Sequence, residues 1–127
     1  MVSVVAKAKV YPTEDPAKVR QALLSIFPGA DLQEGEGEMV ARTDDLGHFM
    51  GQVRRQRILD ATRVVLIRAV QGRSTELHLN KQVAFLGKIT FAEGNAPLGN
   101  IDVMFEDDDI QALIDRITPR TVDGEEV

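Results

Sequence analysis

The 127-residue chain contains no cysteine and no tryptophan, and it has a single tyrosine. The lack of cysteine excludes disulfides, thiolate metal sites and thiol nucleophiles, and it suits a reducing compartment. The scarcity of large aromatic side chains removes the usual platform on which single-stranded bases stack. No apolar run approaches the roughly 18 residues that a membrane span requires. We therefore expect a cytoplasmic protein without a membrane partner.

Length and composition predict one compact domain. The chain is 43% hydrophobic and 28% charged, which is ordinary for a globular protein and too apolar for a disordered one. A chain of this size can bury a single core. We expect one domain over residues 1–127, with a polar tail at 119–127.

The first part of the chain has clear strand and helix signals. Residues 2–10 alternate between apolar and polar side chains, which predicts a half-buried strand. Asp15 is a helix N-cap and Pro16 a first helical residue, ahead of an amphipathic segment that ends at Pro28. The Glu-Gly-Glu-Gly stretch at 34–37 predicts a turn between two short strands.

The middle of the chain predicts two helices separated by a break. Thr43 to Asp45 supply capping oxygens for the second helix of the chain. Asp60 can cap the third helix, which runs to Gly72. The break is expected around Ile58 to Asp60. The apolar positions of the two helices are Leu46, Phe49, Met50 and Val53, then Val64, Leu66, Ile67 and Val70.

The last part predicts three strands, at 74–80, 83–91 and 101–105, with a turn-rich loop at 94–100. A final helix follows the acidic residues 106–109. Strands and helices thus come in irregular order without a repeated βαβ unit, and this order predicts an α+β fold with a mainly antiparallel sheet and helices packed on it.

Residues that could carry catalysis are few. The acids at 106–109, with Asp102 upstream, could hold a hard cation or act as an acid-base pair, but carboxylates are also favoured at a helix N-terminus. We favour capping. His48 and His78 have no neighbouring nucleophile or paired-ligand spacing, and the glycine-rich stretches match no phosphate-binding loop. We expect no enzyme activity, cofactor or metal site.

Charge is unevenly distributed in a chain of net charge -5. Residues 42–90 carry nine Lys/Arg and four Asp/Glu, whereas residues 91–127 carry two and ten. The segment RRQRILDATR at 54–63 is the most basic part, and on a continuous helix Arg54 and Arg57 would share a side. The basic residues either converge on a patch that binds RNA phosphates or pair with the C-terminal acids.

Several blocks of the sequence resemble an uncharacterised archaeal protein family, family 0201, described as predicted RNA-binding or exosome-associated. The blocks are YPTEDPAKV, IFPGADL, RRQRILDATR, LNKQVAFLGK, PLGNIDV and DDDIQALIDRITPRT. The resemblance implies a fold similar to the large-subunit ribosomal protein that contacts 5S ribosomal RNA. It implies an RNA partner and neither catalysis nor a cofactor.

We therefore predict a non-catalytic protein that binds structured RNA of ribosomal or transfer type. Asn80 and Gln82 would hydrogen-bond to phosphate or ribose. The alternatives are a structural or adaptor protein, acting as a homodimer or within an RNA-processing complex through an open strand edge, and, least favoured, a divalent-ion hydrolase. The predicted RNA-binding residues are Arg54, Arg55, Arg57, Arg63, Asn80, Lys81, Gln82 and Lys88.

Overall fold

A computed structural model describes residues 2–92 and 99–122, together with the backbone of residues 125–126. Five of its strands form one sheet, namely β1 (Ser3–Lys9), β2 (Asp31–Gly35), β3 (Glu38–Thr43), β4 (Ser74–Asn80) and β5 (Asn100–Glu106). Their order across the sheet is β2-β3-β1-β5-β4, and every neighbouring pair is antiparallel. The predicted α+β class with a mainly antiparallel sheet is therefore confirmed.

Five helices occupy the described part of the chain. A small hairpin of β6 (Thr121–Val122) and β7 (Glu125–Glu126) lies within the segment predicted as a polar tail. The helices are α1 (Pro16–Ile26), α2 (Gly47–Arg55), α3 (Leu59–Arg68), α4 (Lys81–Phe85) and α5 (Ile110–Ile117).

The core lies between the helices and one face of the sheet. Side chains alternate along each strand, so Val4, Ala6 and Ala8 of β1 are buried while the residues between them point to the other side. Phe49 of α2 lies 5.6 Å from the ring of Phe27 and 5.7 Å from that of Phe105 on β5. Helices and sheet thus share one core, and the opposite sheet face stays accessible.

Two predicted helix caps are confirmed. The Asp15 carboxylate accepts a hydrogen bond from the backbone N–H of Ala17 at 3.0 Å, and that of Asp109 accepts one from Ala112 at 3.0 Å. Asp107 in turn accepts from the backbone N–H of Asp109 at 2.9 Å. The acidic run therefore caps and orders the start of α5, as its position at a helix N-terminus indicates.

The predicted break between the second and third helices is confirmed, but its predicted cap is wrong. Ile58 occupies the N-cap position of α3 and makes no side-chain capping bond. Asp60 lies inside the first turn instead, where it accepts a hydrogen bond from the Thr121 hydroxyl at 2.7 Å. This bond joins α3 to the C-terminal hairpin.

The apolar stripe predicted for α3 is also largely wrong. Leu66 is buried, but Val64, Ile67 and Val70 are between 36% and 46% exposed. The helix contacts its neighbours through a narrow stripe that includes the buried Thr62. The spacing of apolar residues correctly predicts a helix here, but it does not show how few of its side chains are buried by the rest of the fold.

The strand predicted at 83–91 does not form: its first three residues belong to α4, and a turn follows at 86–87. Asn80 caps α4 by accepting a hydrogen bond from the backbone N–H of Val83 at 3.0 Å, and Gly87 leaves the helix with a φ of 81°. Only Phe91 pairs as an isolated bridge, with Leu79. Apart from Gly99 and Asn100, the loop predicted at 94–100 lies outside the described residues.

Candidate nucleic-acid interface

The junction between α2 and α3 has an unusual backbone. Arg57 has a φ of 56° and is the single non-glycine residue with a positive φ among the residues described. Its N–H donates to the carbonyl oxygen of Arg54 at 3.1 Å, and that of Ile58 donates to Val53 at 3.2 Å. Because the helix has already ended, the prediction that Arg54 and Arg57 share a helical side does not hold.

Gln56 fixes the junction to a distant part of the chain. Its amide nitrogen donates to the carbonyl oxygen of Ile89 at 2.7 Å, and its amide oxygen accepts from the N–H of Ile89 at 2.8 Å. The side-chain amide nitrogen of Gln52 also donates to the Gln56 side-chain oxygen, at 2.7 Å. This pairing brings Lys88 next to the junction. Gln56 lies in RRQRILDATR, one of the blocks that resemble family 0201, but no local feature of the sequence indicates that it pairs with Ile89.

Three of the predicted RNA-binding residues lie at this junction or one residue from its Ile89 contact, on the outside of the fold. Arg55, Arg57 and Lys88 are all exposed, and we call these three residues the junction surface. The Arg55 guanidinium is oriented by two hydrogen bonds to the Gln52 side-chain oxygen, at 2.8 and 3.1 Å. No carboxylate pairs with these three cations within the part of the chain that the structure describes.

Two further predicted arginines are engaged inside the fold. Arg54 is half-buried, and its guanidinium donates to the Met50 carbonyl oxygen at 3.4 Å. Arg63 is 12% exposed, and it pairs with Asp115 at 2.7 Å and donates to the Thr118 carbonyl oxygen at 2.8 Å. The hydrogen bond from Arg63 lowers the pKa of Asp115 below its ordinary value.

The sequence left open that the basic residues pair with the C-terminal acids. Some residues of the basic segment do form such pairs. Arg63 reaches Asp115, and Arg73 reaches Asp108 at 3.1 Å. These two arginines join the region around α3 to the segment containing α5. The junction surface therefore consists of exposed basic residues that make no such pair among the described residues.

Lys81 lies deepest of the predicted residues. Its side chain is 4% exposed, and its ammonium donates to the Lys9 carbonyl oxygen at 2.7 Å and to Glu14 at 2.9 and 3.2 Å. It also lies 5.3 Å from the centre of the Tyr11 ring. Lys81 therefore joins the β1–α1 connection to α4 rather than facing solvent.

Asn80 and Gln82 lie on either side of Lys81 and have different surroundings. The oxygen of Asn80 is used in capping α4. Gln82 is exposed, beside a groove between α1 and α4 that Lys18 and Phe85 also line. Neither residue belongs to the junction surface as defined.

The described residues contain no group of three His, Asp or Glu side chains that could hold a metal ion. Within the same residues, no helix is long and apolar enough to cross a membrane.

His78 offers a pH-dependent contribution to stability on the accessible sheet face. Its Nδ1 lies 2.7 Å from Asp102, and this hydrogen bond raises the pKa of His78 above its ordinary value of about 6.5, with a smaller contribution from Glu76. A raised folded-state pKa stabilises the fold below about pH 6.5, and the contribution is lost as pH rises through the folded pKa. We expect Asp102→Asn to return the pKa of His78 towards 6.5, as measured by NMR titration. An unchanged pKa in Asp102→Asn would contradict this assignment.

Proteins of known sequence resemble this chain over nearly its whole length. A family model with the description RNA binding matches residues 3–106. The UPF0201 protein of Methanopyrus kandleri is 40% identical over 98% of this chain and 89% of its own length. The UPF0200/UPF0201 protein of Archaeoglobus fulgidus is 36% identical over 99% of this chain, which spans 40% of that longer protein.

A solved structure gives the same result for the fold. The 2.2 Å crystal structure of a UPF0201 protein from Methanococcus jannaschii superposes with a TM-score of 0.91 at 38% identity, covering 98% of both chains. A second crystal structure of a UPF0201 protein gives a TM-score of 0.88 at 34% identity, covering 98% of this chain and 99% of the other. The chain therefore belongs to the archaeal UPF0201 family, within the family whose model is described as RNA binding.

Proposed function

We propose that the protein is a non-catalytic RNA-binding protein that holds structured RNA, of ribosomal or transfer type, on the junction surface. The observation that carries the proposal is Arg57, an exposed arginine in the left-handed conformation. This conformation costs an L-residue about 1–2 kcal/mol, and strained backbone positions cluster at functional sites. The left-handed turn at Arg57 places this arginine after the end of α2, next to Gln56, which is hydrogen-bonded to the neighbour of Lys88.

The junction surface has the chemistry that phosphate contacts need. Guanidinium groups bind phosphate oxygens through two parallel hydrogen bonds, and Arg55 is already oriented by Gln52. Lys88 adds a point charge on a segment fixed by Gln56. Contacts of this kind position a folded RNA by its backbone and shape, and they do not require aromatic stacking.

The accessible sheet face is a poorer candidate for RNA. Its outward side chains include more acids than bases, so phosphates would meet net repulsion there. The bases are Lys7, Lys9 and Arg42, and the acids are Asp31, Glu38, Glu76, Asp102 and Glu106.

Arg57→Gly tests the role of Arg57, because it removes the positive charge and relieves the backbone strain at the same time. We expect the free energy of unfolding to rise by about 0.5–1 kcal/mol, since glycine adopts a positive φ without strain but loses more chain entropy on folding. We expect affinity for transfer or ribosomal RNA to fall about fivefold. The slope of log affinity against log salt should decrease in magnitude by about 0.7–0.9.

Arg57→Ala is the matched control, because it removes the same charge and leaves the conformation strained. It should weaken RNA binding as much as Arg57→Gly does, without the gain in stability. Chemical denaturation and fluorescence-anisotropy titrations at two salt concentrations measure both quantities. RNA affinity equal to wild type in both variants would exclude Arg57 as a contact, and no RNA binding by wild type at low salt would exclude the proposed function.

A further inference from the structure

The accessible sheet face has an ordered pattern of charge. Directly opposed residues of antiparallel strands point to the same side, so the strand register defines rows across this face. The cations lie on β3 and β1. Arg42 is level with Glu76 on β4, and Lys7 is level with Asp102 on β5, whereas Lys9 is level with Glu38 and Asn100. One row is Arg42, Val5, Met104 and Glu76, and the next is Val40, Lys7, Asp102 and His78.

The middle of this face is partly apolar. Val5 and Val40 are half-buried, and Met104 is 46% exposed. Met104 is a large apolar side chain flanked by charged neighbours, an arrangement typical of a protein contact with a polar rim.

We propose that this face binds the same face of a second copy of the chain, about a twofold axis that runs parallel to the strands between β1 and β5. Such a rotation places β1 opposite the partner's β5, and β3 opposite the partner's β4. Because the rows are set by the register, residues at the same level then meet across the interface.

The charge pattern favours a second copy over other occupants. In this arrangement Lys7 faces the partner's Asp102, and Arg42 faces the partner's Glu76. Between these pairs, Val5 faces the partner's Met104. Each contact occurs twice by symmetry, so Arg42 and Lys7 meet acids and Val5 meets a methionine, while Val40 faces the partner's His78.

Pairing through an open strand edge, the other way in which two copies could associate, is restricted by the structure. The outer edge of β4 is partly occupied, because the N–H of Asn80 donates to Thr90 at 2.8 Å and that of Ala92 donates to the carbonyl oxygen of His78 at 2.9 Å. The other edge, β2, is only five residues long and includes Asp31 and Glu34. Short, charged edges disfavour strand addition.

The size of the face indicates a weak dimer. The axis between β1 and β5 leaves β2 without a strand opposite it, so four strands of each copy overlap. Four strands about 4.8 Å apart and about six residues of 3.3 Å in length give a projected area of roughly 380 Å² per copy. This is below the roughly 800 Å² per partner of a standard interface. We expect association that depends on protein concentration, with a dissociation constant in the micromolar range, and that weakens as salt is added.

Charge reversal and mixing test the proposal. In sedimentation velocity at low salt, wild type should form dimers as its concentration is raised, while Lys7→Glu alone and Asp102→Lys alone should stay monomeric. An equimolar mixture of the two variants should form heterodimers, because each reversed side chain then faces an opposite charge. Lys7 and Asp102 are also neighbours within one chain, and mixing cannot restore a contact within a chain.

The pair Arg42→Glu and Glu76→Arg repeats the design if either first variant fails to fold. Wild type that stays monomeric up to about 1 mM would overturn the proposal. So would dimers that persist in the single variants, or a mixture that stays monomeric. Protection of this face by bound RNA would favour RNA as its occupant instead. Because the junction surface is not used, failure here leaves the proposed RNA-binding function intact.

Discussion

Lys81→Met is expected to lower the free energy of unfolding by about 3–5 kcal/mol, the usual cost of removing one partner of a buried ion pair. Glu14 is 11% exposed, and its carboxylate would remain without the ammonium that neutralises it. The Lys9 carbonyl oxygen would also lose its hydrogen bond from Lys81. Methionine retains much of the side-chain volume, so the loss reports on charge and hydrogen bonding rather than on a cavity.

The double variant Lys81→Met with Glu14→Gln is the control, because it removes both charges. Glutamine keeps a side-chain oxygen for the N–H of Tyr11, which donates to Glu14 at 3.1 Å. We expect the double variant to recover a large part of the lost stability in urea denaturation. A loss below about 1 kcal/mol in the single variant would contradict the argument, because that is the scale of an exposed pair.

The same variants test the sequence prediction that Lys81 contacts RNA. Under conditions in which Lys81→Met remains folded, its affinity for RNA is expected to match that of wild type. A loss of affinity comparable to that of a junction-surface variant would show that RNA reaches Lys81 despite its burial.

Local signals in the sequence predicted the elements that local physics determines. The alternation in β1 and the capping by Asp15 and Asp109 depend on neighbours within a few residues, and all three are confirmed. The prediction of a strand at 83–91 was wrong because its local pattern is ambiguous. Its apolar content fits a strand or a short helix, and the cap at Asn80 decides for the helix.

The candidate site could be predicted only in part, because charge alone does not reveal a partner. Lys81 and Lys88 belong to the same basic segment, yet Lys81 is buried against Glu14, which is 67 residues away in sequence, whereas Lys88 is exposed. Arg63 reaches a carbonyl oxygen 55 residues away. Contacts over such separations are set by the tertiary fold and leave no local signature.

The triple variant Arg55→Ala, Arg57→Ala and Lys88→Ala is expected to abolish most RNA binding. If each contact contributes about 1 kcal/mol, affinity at low salt falls roughly a hundredfold. With three phosphate contacts removed, the slope of log affinity against log salt decreases in magnitude by about 2–2.7. Anisotropy titrations of labelled transfer RNA at several salt concentrations measure both quantities.

The matched control is Arg20→Ala, Arg68→Ala and Arg73→Ala, which changes the net charge by the same amount. Arg68 lies at the far end of α3, about 15 Å from the junction by helix rise, and Arg20 pairs with Glu34 on the opposite edge strand of the sheet. This control should keep the wild-type slope, since the pairs that it breaks are exposed and contribute little to stability. Equal losses in both triple variants would mean that RNA responds to overall charge. A loss confined to the first variant means that RNA responds to where the cations lie.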